Sequence, residues 1–338
     1  MPSTKTPTST TTTTGAAPSA PPDEMFAEYR RDLTGYCYRM LGSASEAEDA
    51  VQETFVKAWR GWDRFEGRSS PRTWLYRIAH HVCVDMHRSP QRRARPMDLG
   101  PSSRTADVVL GEPRAEHTWV QPIADERVVD TTADPADVVA ARESIRLAFV
   151  ATLQHLPARQ RAALILCDVL RWSAVDAAEL LDTTVPSVNS ALQRARATLA
   201  ERRTEPLDNG LDPEHEALLA RYVDAFERYD TDALAAMMRD DVILSMPPFD
   251  VWLQGPDELV AWFLGQGAGC RGARLVPISV NGTAGFGSYK RAADGREGVW
   301  EPFAIQIIET ADGRIVGHHN FLTPERFPEF GLPTVLTA

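Results

Sequence analysis

Apolar residues recur at three- and four-residue spacing from Met25 to about Arg95, the period of amphipathic helices. Phe26, Tyr29, Leu33, Tyr36, Cys37 and Met40 trace one helix. After Gly42-Ser43 a second carries Ala50, Val51, Thr54, Phe55, Ala58 and Trp59, and Ser45 with Glu48 three residues on reads as its capping box. A loop at Arg64–Pro71 precedes a third, Arg72 to His87, with Trp74, Leu75, Ile78, Ala79, Val82 and Met86 as its stripe. Periodicity then lapses. Residues 96–138 carry five prolines and read as a long linker, functional or disordered. Helices resume near Val138 and run to about Leu199. Beyond Asp212 two more (Glu214–Tyr229, Thr231–Met238) give way to alternating stretches at Val242–Met246, Arg274–Val280, Phe303–Glu309 and Arg314–Phe321, with Asp312-Gly313 as a tight hairpin turn. Helices first and antiparallel strands afterwards predict all-α units followed by a separate α+β domain.

A chain of 338 residues suits two or three such domains. The implied partition is a disordered Ser/Thr/Pro-rich tail at 1–22, a helical unit at 23–95, the linker at 96–138, a second helical unit at 139–204 and an α+β domain at 211–335. No apolar run of about 18 residues predicts a membrane span, and the N-terminus lacks the apolar segment of a signal peptide. Cys37, Cys83, Cys167 and Cys270 form no Cys-x-x-Cys pair, which fits buried thiols in a reducing cytoplasm rather than disulfides or a zinc site. His80, His81 and Cys83 crowd one helical turn and cannot all converge on one ion.

The net charge of −11 argues against nucleic acid, but its distribution changes that reading. Residues 25–95 hold 13 basic and 9 acidic groups, and 139–205 hold 9 and 7. The linker between them holds 3 and 9, and the chain from 206 onward holds 10 and 20. Two mildly basic units are joined by an acidic linker and followed by an acidic domain.

Within the second basic unit, Ser173–Leu181, a turn at Asp182-Thr183, and a helix from Thr184 or Val185 to Leu199 form a helix-turn-helix pattern. Small Ala177 and Ala178 permit close packing, Leu180, Val188, Leu192 and Leu199 supply the shared core, and Pro186 sits in the first turn, where its missing N–H is harmless. Ser187, Asn189, Ser190, Gln193, Arg194 and Arg196 face outward, with groups able to reach phosphates or base edges in a major groove.

Leu156-Pro157-Ala158-Arg159-Gln160-Arg161, Trp172-Ser173 and Val188 to Arg196 resemble region 4 of extracytoplasmic-function (ECF) sigma factors. Ala47 to Trp59 resembles their region 2.2, and Arg72 to Ala79 their regions 2.3 and 2.4. The resemblance covers roughly residues 25–200. It implies a promoter-specificity subunit of bacterial RNA polymerase without chemistry or cofactor of its own. Asp49, Gln52, Glu53 and Phe55 would meet the β′ clamp helices, and region 4 the β flap. Arg68, Arg72, Trp74, Tyr76, Arg77 and His81 would hold the −10 strand, where bases stack on aromatics, although the spacing of Trp74 also fits core packing. The outward face of the helix-turn-helix would read the −35 element. Two positions depart from the family pattern: His81 stands where Asn is frequent, and Pro71 where a larger loop residue is frequent.

From about Leu211, the stretches Leu218 to Glu227, Met246-Pro247-Pro248 and Trp252 to Gly255 resemble a SnoaL-like domain of the NTF2 fold, and Trp119 to Pro122 resembles a linker segment of sigma factors carrying such an extension. That fold implies a cone-shaped cavity, for which Met246, Trp252, Tyr289, Trp300 and His319 are candidates alongside several aromatic neighbours. Asp241 with His319 is a candidate acid–base pair. No metal spacing or nucleophile motif accompanies them. The expectation is a domain that modulates promoter recognition in cis; the alternative is a SnoaL-type small-molecule enzyme or ligand sensor fused to a DNA-binding regulator.

Overall fold

The computed structural model describes residues 23–86, 93–202, 206–208 and 213–337. The expected tail at 1–22, the end of the third helix at His87 and most of the junction at 203–212 lie outside them.

Three helices form the first unit: α1 (Asp23–Leu41), α2 (Ala44–Gly61) and α3 (Pro71–Met86). Ser43, not Ser45, caps α2, its hydroxyl accepting the Glu46 N–H at 3.2 Å. Ser45 instead donates to the Gln121 side chain. The Ser43-x-x-Glu46 frame satisfies an orphan donor as readily as the one read from Ser45.

The second helical unit comprises α4 (Pro135–Glu143), α5 (Leu147–Gln154), α6 (Ala158–Leu164) with a π turn at Ile165–Val169, α7 (Ala174–Leu180) and α8 (Val185–Glu201). The last two are the predicted helix-turn-helix. Asp182 takes a positive φ of 48° at the turn, and Thr184 caps α8 with Pro186 in its first turn.

The C-terminal domain has α9 (Pro213–Arg228), α10 (Thr231–Met237) and α11 (Pro256–Leu264). Its strands are β1 (Met238–Ser245), β2 (Trp252–Gln254), β3 (Arg274–Val280), β4 (Thr283–Arg291), β5 (Val299–Ala311), β6 (Arg314–Phe321) and β7 (Leu336–Thr337). The sheet order is β2-β1-β6-β5-β4-β3, with β7 added on β5 and only β1–β6 parallel.

The two faces of this sheet have different fates. One face, with Leu244, Phe286 and Ile308, packs on α9 to α11. The other, with Ile305, Ile307, Tyr289 and Phe321, joins the same buried cluster as the helices of both basic units. An apolar sheet face must be covered; here the segment after β6 covers part of it, with Phe327 edge-on to Tyr289 at 5.0 Å, and the linker and the helices of the two basic units cover the rest.

The linker is the second departure from expectation. Residues 93–134 have little regular structure beyond short 3-10 turns, yet Trp119, Val120, Gln121, Ile123, Ala124 and Asp125 are buried. They wedge between α1 and the β3–β4 hairpin: Tyr38 donates to the Gln121 carbonyl at 2.8 Å, and Ala124 bridges Val280. It is a packed strap rather than a tether, and its backbone polar groups are met by neighbouring elements.

Candidate nucleic-acid and polymerase interface

On α2 the exposed side chains include Asp49, Gln52 and Glu53. Three or four residues on, Val56 and Trp59 continue this strip and are 42% and 53% exposed. Phe55 is not part of it: it is buried, stacked on Phe26 at 4.7 Å with the Arg30 guanidinium over its ring. Nor does Trp59 belong to the apolar stripe assigned to this helix. A lone period count cannot separate a core aromatic from an exposed one a turn away.

The predicted −10 residues divide sharply. Arg68 is exposed and paired with Glu66. Trp74 packs with Trp62 and Phe65 at 5.9 and 4.8 Å between ring centroids, the core role its spacing also fits. Tyr76 is wholly buried, edge-on to Tyr36, and therefore cannot stack on a base in this arrangement. The reason is contact with the helix-turn-helix unit. Trp172 lies 5.1 Å from the Tyr76 ring, and the Arg72 guanidinium sits over both, 5.1 Å from Trp172 and 5.6 Å from Tyr76. Arg77 donates to the Glu179 carbonyl at 2.9 Å and faces its carboxylate at 3.4 Å. His81 Nδ1 is 2.7 Å from the Arg77 carbonyl. Two of the cations assigned to −10 DNA are thus held by an aromatic ring and an acid of the other basic unit.

On α8, Asn189, Gln193, Arg194 and Arg196 are exposed, with Ser187 and Ser190 half-buried. Arg194 donates to Ser190 Oγ at 2.7 Å and stays on the open face. Arg196 is committed elsewhere: it grips the Asp168 carboxylate of the π turn with two hydrogen bonds of 2.9 and 2.7 Å. Beside that pair, Phe149, Leu164, Val169 and Leu199 line an apolar groove of about 580 Å³.

Arg161, in the Leu-Pro-x-x-x-Arg stretch, is buried and donates to the carbonyls of Met40, Leu153, Gln154 and Leu156. One guanidinium fork thereby ties α6 to the end of α1. Such a group is matched to several acceptors at once.

The C-terminal candidates do not converge on a cavity. Met246 lies in the helix-side core, and Trp252 on the sheet edge donates to the Gly100 carbonyl of the linker at 2.9 Å. Tyr289 and Trp300 belong to the opposite core and donate to Pro333 and Gly272 carbonyls. The interior of the cone is filled by Tyr222, Phe226, Phe263, Phe286 and His318, with ring centroids about 6 Å apart. Burial pushes the His318 pKa down to about 3. Its Nδ1 accepts from the Asn320 amide N–H at 3.0 Å, and its Nε2 pairs with the Tyr222 hydroxyl at 2.7 Å. Asp241 is bound to Arg239 rather than to His319. His319 instead joins Ser245 Oγ at 2.8 Å through Nδ1 and Glu309 at 3.2 Å through Nε2. Burial opposes ionisation of Glu309, but His319, Arg95 and Arg146 outweigh it and hold the carboxyl below its usual range. This Ser–His–Glu chain is covered by Ala94–Met97 and Val120, and the void beside it is about 10 Å³, too small for a substrate.

The residues that join the domains were missed by sequence reasoning. At the β3–β4 turn, Asn281 and Gly282 have positive φ values of 51° and 71°. The buried Asn281 amide donates to Tyr38 Oη and the Ile145 carbonyl, each at 2.7 Å, and accepts the Ile123 N–H at 3.0 Å. Asp125 accepts the Gly282 N–H at 2.8 Å. Asn-Gly after an alternating strand is a strong hairpin signal, but it shows only that a turn exists, not what it enters.

A three-helix unit, a helix-turn-helix unit and a fused α+β cone define a modular promoter-recognition factor. Family comparison agrees: the Sigma-70 region 2 model matches residues 25–93, the Sigma-70 region 4 model 146–199, and the SnoaL-like domain model 219–318. The chain is 42% identical over 313 residues to the ECF RNA polymerase sigma factor SigG of Mycobacterium tuberculosis, covering 91% of this chain and 83% of that protein. It is 27% identical over 316 residues to SigJ of the same organism, covering 89% and 92%. The crystal structure of SigJ superposes with a TM-score of 0.58 at 22% identity, covering 92% of this chain and 99% of that one, which shows a shared fold. The chain belongs to the ECF RNA polymerase sigma factors, promoter-specificity subunits, and carries a SnoaL-like domain in cis.

Proposed function

We propose that this sigma factor recognises −35 DNA through α8 and −10 DNA through α3, and that the described arrangement is a closed state in which the two are unavailable together. Core RNA polymerase is the partner that opens it, with the Asp49–Gln52–Glu53–Val56–Trp59 strip meeting the β′ clamp helices. The apolar groove of region 4 is the surface offered to the β flap. No described helix is long and apolar enough to cross a membrane, and we place the factor in the cytoplasm with its polymerase.

One observation carries the reading: Arg72 and Arg77 are occupied by Trp172 and Glu179. Each contact is modest. A cation–π pair contributes about 0.5–2 kcal/mol and an exposed ion pair about 0.2–1 kcal/mol. Arg161 and the shared core also join the two units, so opening requires a polymerase surface whose differential affinity for the open state exceeds all of these together. The C-terminal domain supports closure through the Asn281-Gly282 turn and its shared core. Because that core covers apolar surface of both sigma units, deleting residues 206–338 would expose it. Point substitutions are therefore the cleaner test.

Run-off transcription with purified core polymerase tests the proposal. Trp172→Ala with Glu179→Arg, the latter because the Arg77 bond to the Glu179 carbonyl would survive alanine but not a second cation beside it, should raise transcription from a cognate promoter several-fold at limiting factor. Unchanged or reduced output, with core binding intact, would refute closure by this contact. We further propose that the SnoaL-like domain is not catalytic, supported by its filled cone and sealed Ser245–His319–Glu309 chain.

A further inference from the structure

A groove of about 570 Å³ runs between α9 and the β3–β4 hairpin, on the helix-covered face of the sheet. Leu219, Val223, Leu275, Pro277 and Phe286 make its walls apolar. Phe286 is the wall it shares with the cone interior, which aromatic side chains fill. The C-terminal domain does not build this groove alone. One end is closed by Asp125 of the linker and Arg142 at the end of α4.

That end is chemically incomplete. Arg142 Nε is buried with no hydrogen-bond partner. The nearest acid, Asp125, stands 3.7 Å from it, beyond hydrogen-bond reach. Nε itself is closed off from the groove, but the side chain is partly exposed there, so an acceptor arriving from the groove would meet the terminal guanidinium nitrogens of a cation short of partners, which is favourable. The charge of the acceptor is constrained as well. Burial pushes the Asp125 carboxyl up to about 6, so at neutral pH it is ionised and balances Arg142. An anionic head would be repelled by Asp125, and a cationic one by Arg142. What fits is a neutral acceptor.

We propose that this interdomain groove binds a small uncharged molecule with an apolar body and a carbonyl-type acceptor at one end, the acceptor meeting Arg142. Its volume lies within the range of about 300–1,000 Å³ common to small-molecule sites. Since its two ends belong to different domains, the site is complete only while they are docked, and an occupant stabilises docking by mass action. The binding claim is independent of the sigma reading; the consequence that an occupant favours the closed state rests on it.

The test uses the full-length chain without polymerase. Nile red, uncharged, apolar and carbonyl-bearing, is titrated by fluorescence. One saturable site is expected, at which 2-decanone competes at least tenfold better than decanoate or decylamine at pH 7.5. Arg142→Leu should weaken dye binding about tenfold or more. Ala220→Trp, from an exposed position on the groove's lip, should do the same by filling the space, and covers the case in which Arg142→Leu perturbs folding. Dye binding unaffected by Ala220→Trp, or equal competition by decanoate and 2-decanone, overturns the proposal. A transcription defect without loss of dye binding would bear on the closed state and leave the site standing.

Discussion

Replacing Gly282 with Ala isolates the contact between the C-terminal domain and the sigma units. A Cβ at Gly282 would stand 2.2 Å from the Arg142 carbonyl oxygen and 2.7 Å from its carbon. Both are backbone, at the end of a helix, and cannot rotate away. Reaching an ordinary contact of roughly 3.4 Å requires the turn and α4 to separate by roughly 1.2 Å. Five hydrogen bonds cross this junction: the two from the Asn281 amide, those from Ile123 N–H and Gly282 N–H, and Asn281 N–H to the Ile123 carbonyl at 3.0 Å. Stretched by that amount, none survives the usual distance limit. At about 0.5–1.5 kcal/mol each, and allowing for non-additivity, docking should weaken by roughly 3–6 kcal/mol. The backbone penalty must be separated from the clash, because Ala at a positive φ costs about 1–2 kcal/mol anywhere. Gly313 supplies the control: its φ is 69°, and a Cβ there meets nothing within 4 Å. Hydrogen exchange over residues 120–129 and 138–146 is the assay. Gly282→Ala should speed exchange there by about 100-fold or more, since roughly 1.4 kcal/mol is tenfold, while Gly313→Ala leaves it unchanged. Equal effects from the two would mean that the turn does not hold the domains together.

Other predictions follow from the same geometry. Arg194→Ala should weaken −35 binding by roughly 1–3 kcal/mol if it makes a bidentate base contact, measured by promoter binding of the holoenzyme; Arg196→Ala should cost less, because Asp168 already occupies that guanidinium. Docking should depend on pH through Asp125. Its carboxyl is raised to about 6 by burial, against partial relief from the Gly282 N–H and Arg142, so the undocked state binds fewer protons between about pH 4 and 6. Docking is favoured at the acid end of that window and weakens as pH rises through 6; Asp125→Asn, which keeps an acceptor for Gly282, should flatten this dependence in exchange measurements. Trp59→Ala on α2 should lower affinity for core polymerase while leaving thermal stability nearly unchanged, because the ring is 53% exposed; Phe55→Ala should instead destabilise the fold by about 3–5 kcal/mol.

Sequence by itself determined the modules. Helical period, strand alternation, turn chemistry and capping are local properties, and each module's apolar spacing is set by its own geometry. The helix-turn-helix could therefore be placed to within a residue or two, with Ala177, Leu180, Val188 and Leu192 in its core. Asp49, Gln52 and Glu53 on α2 and Asn189, Gln193, Arg194 and Arg196 on α8 were legible as outward for the same reason, whereas Phe55, read as an interface residue, is buried and Trp59, read in the apolar stripe, is exposed. Tertiary structure decided whatever depends on residues far apart in the chain. It took Tyr76 and Phe55 into the core and gave Arg72 and Arg77 to Trp172 and Glu179. It assigned Arg196 to Asp168, filled the expected cone with aromatic rings, and turned an aperiodic linker into a strap. Periodicity reports which face of an element is apolar, but not which partner covers it. An Asn-Gly turn can be recognised from two letters; its insertion between Tyr38, Asp125 and Ile145 is a fact of long-range packing.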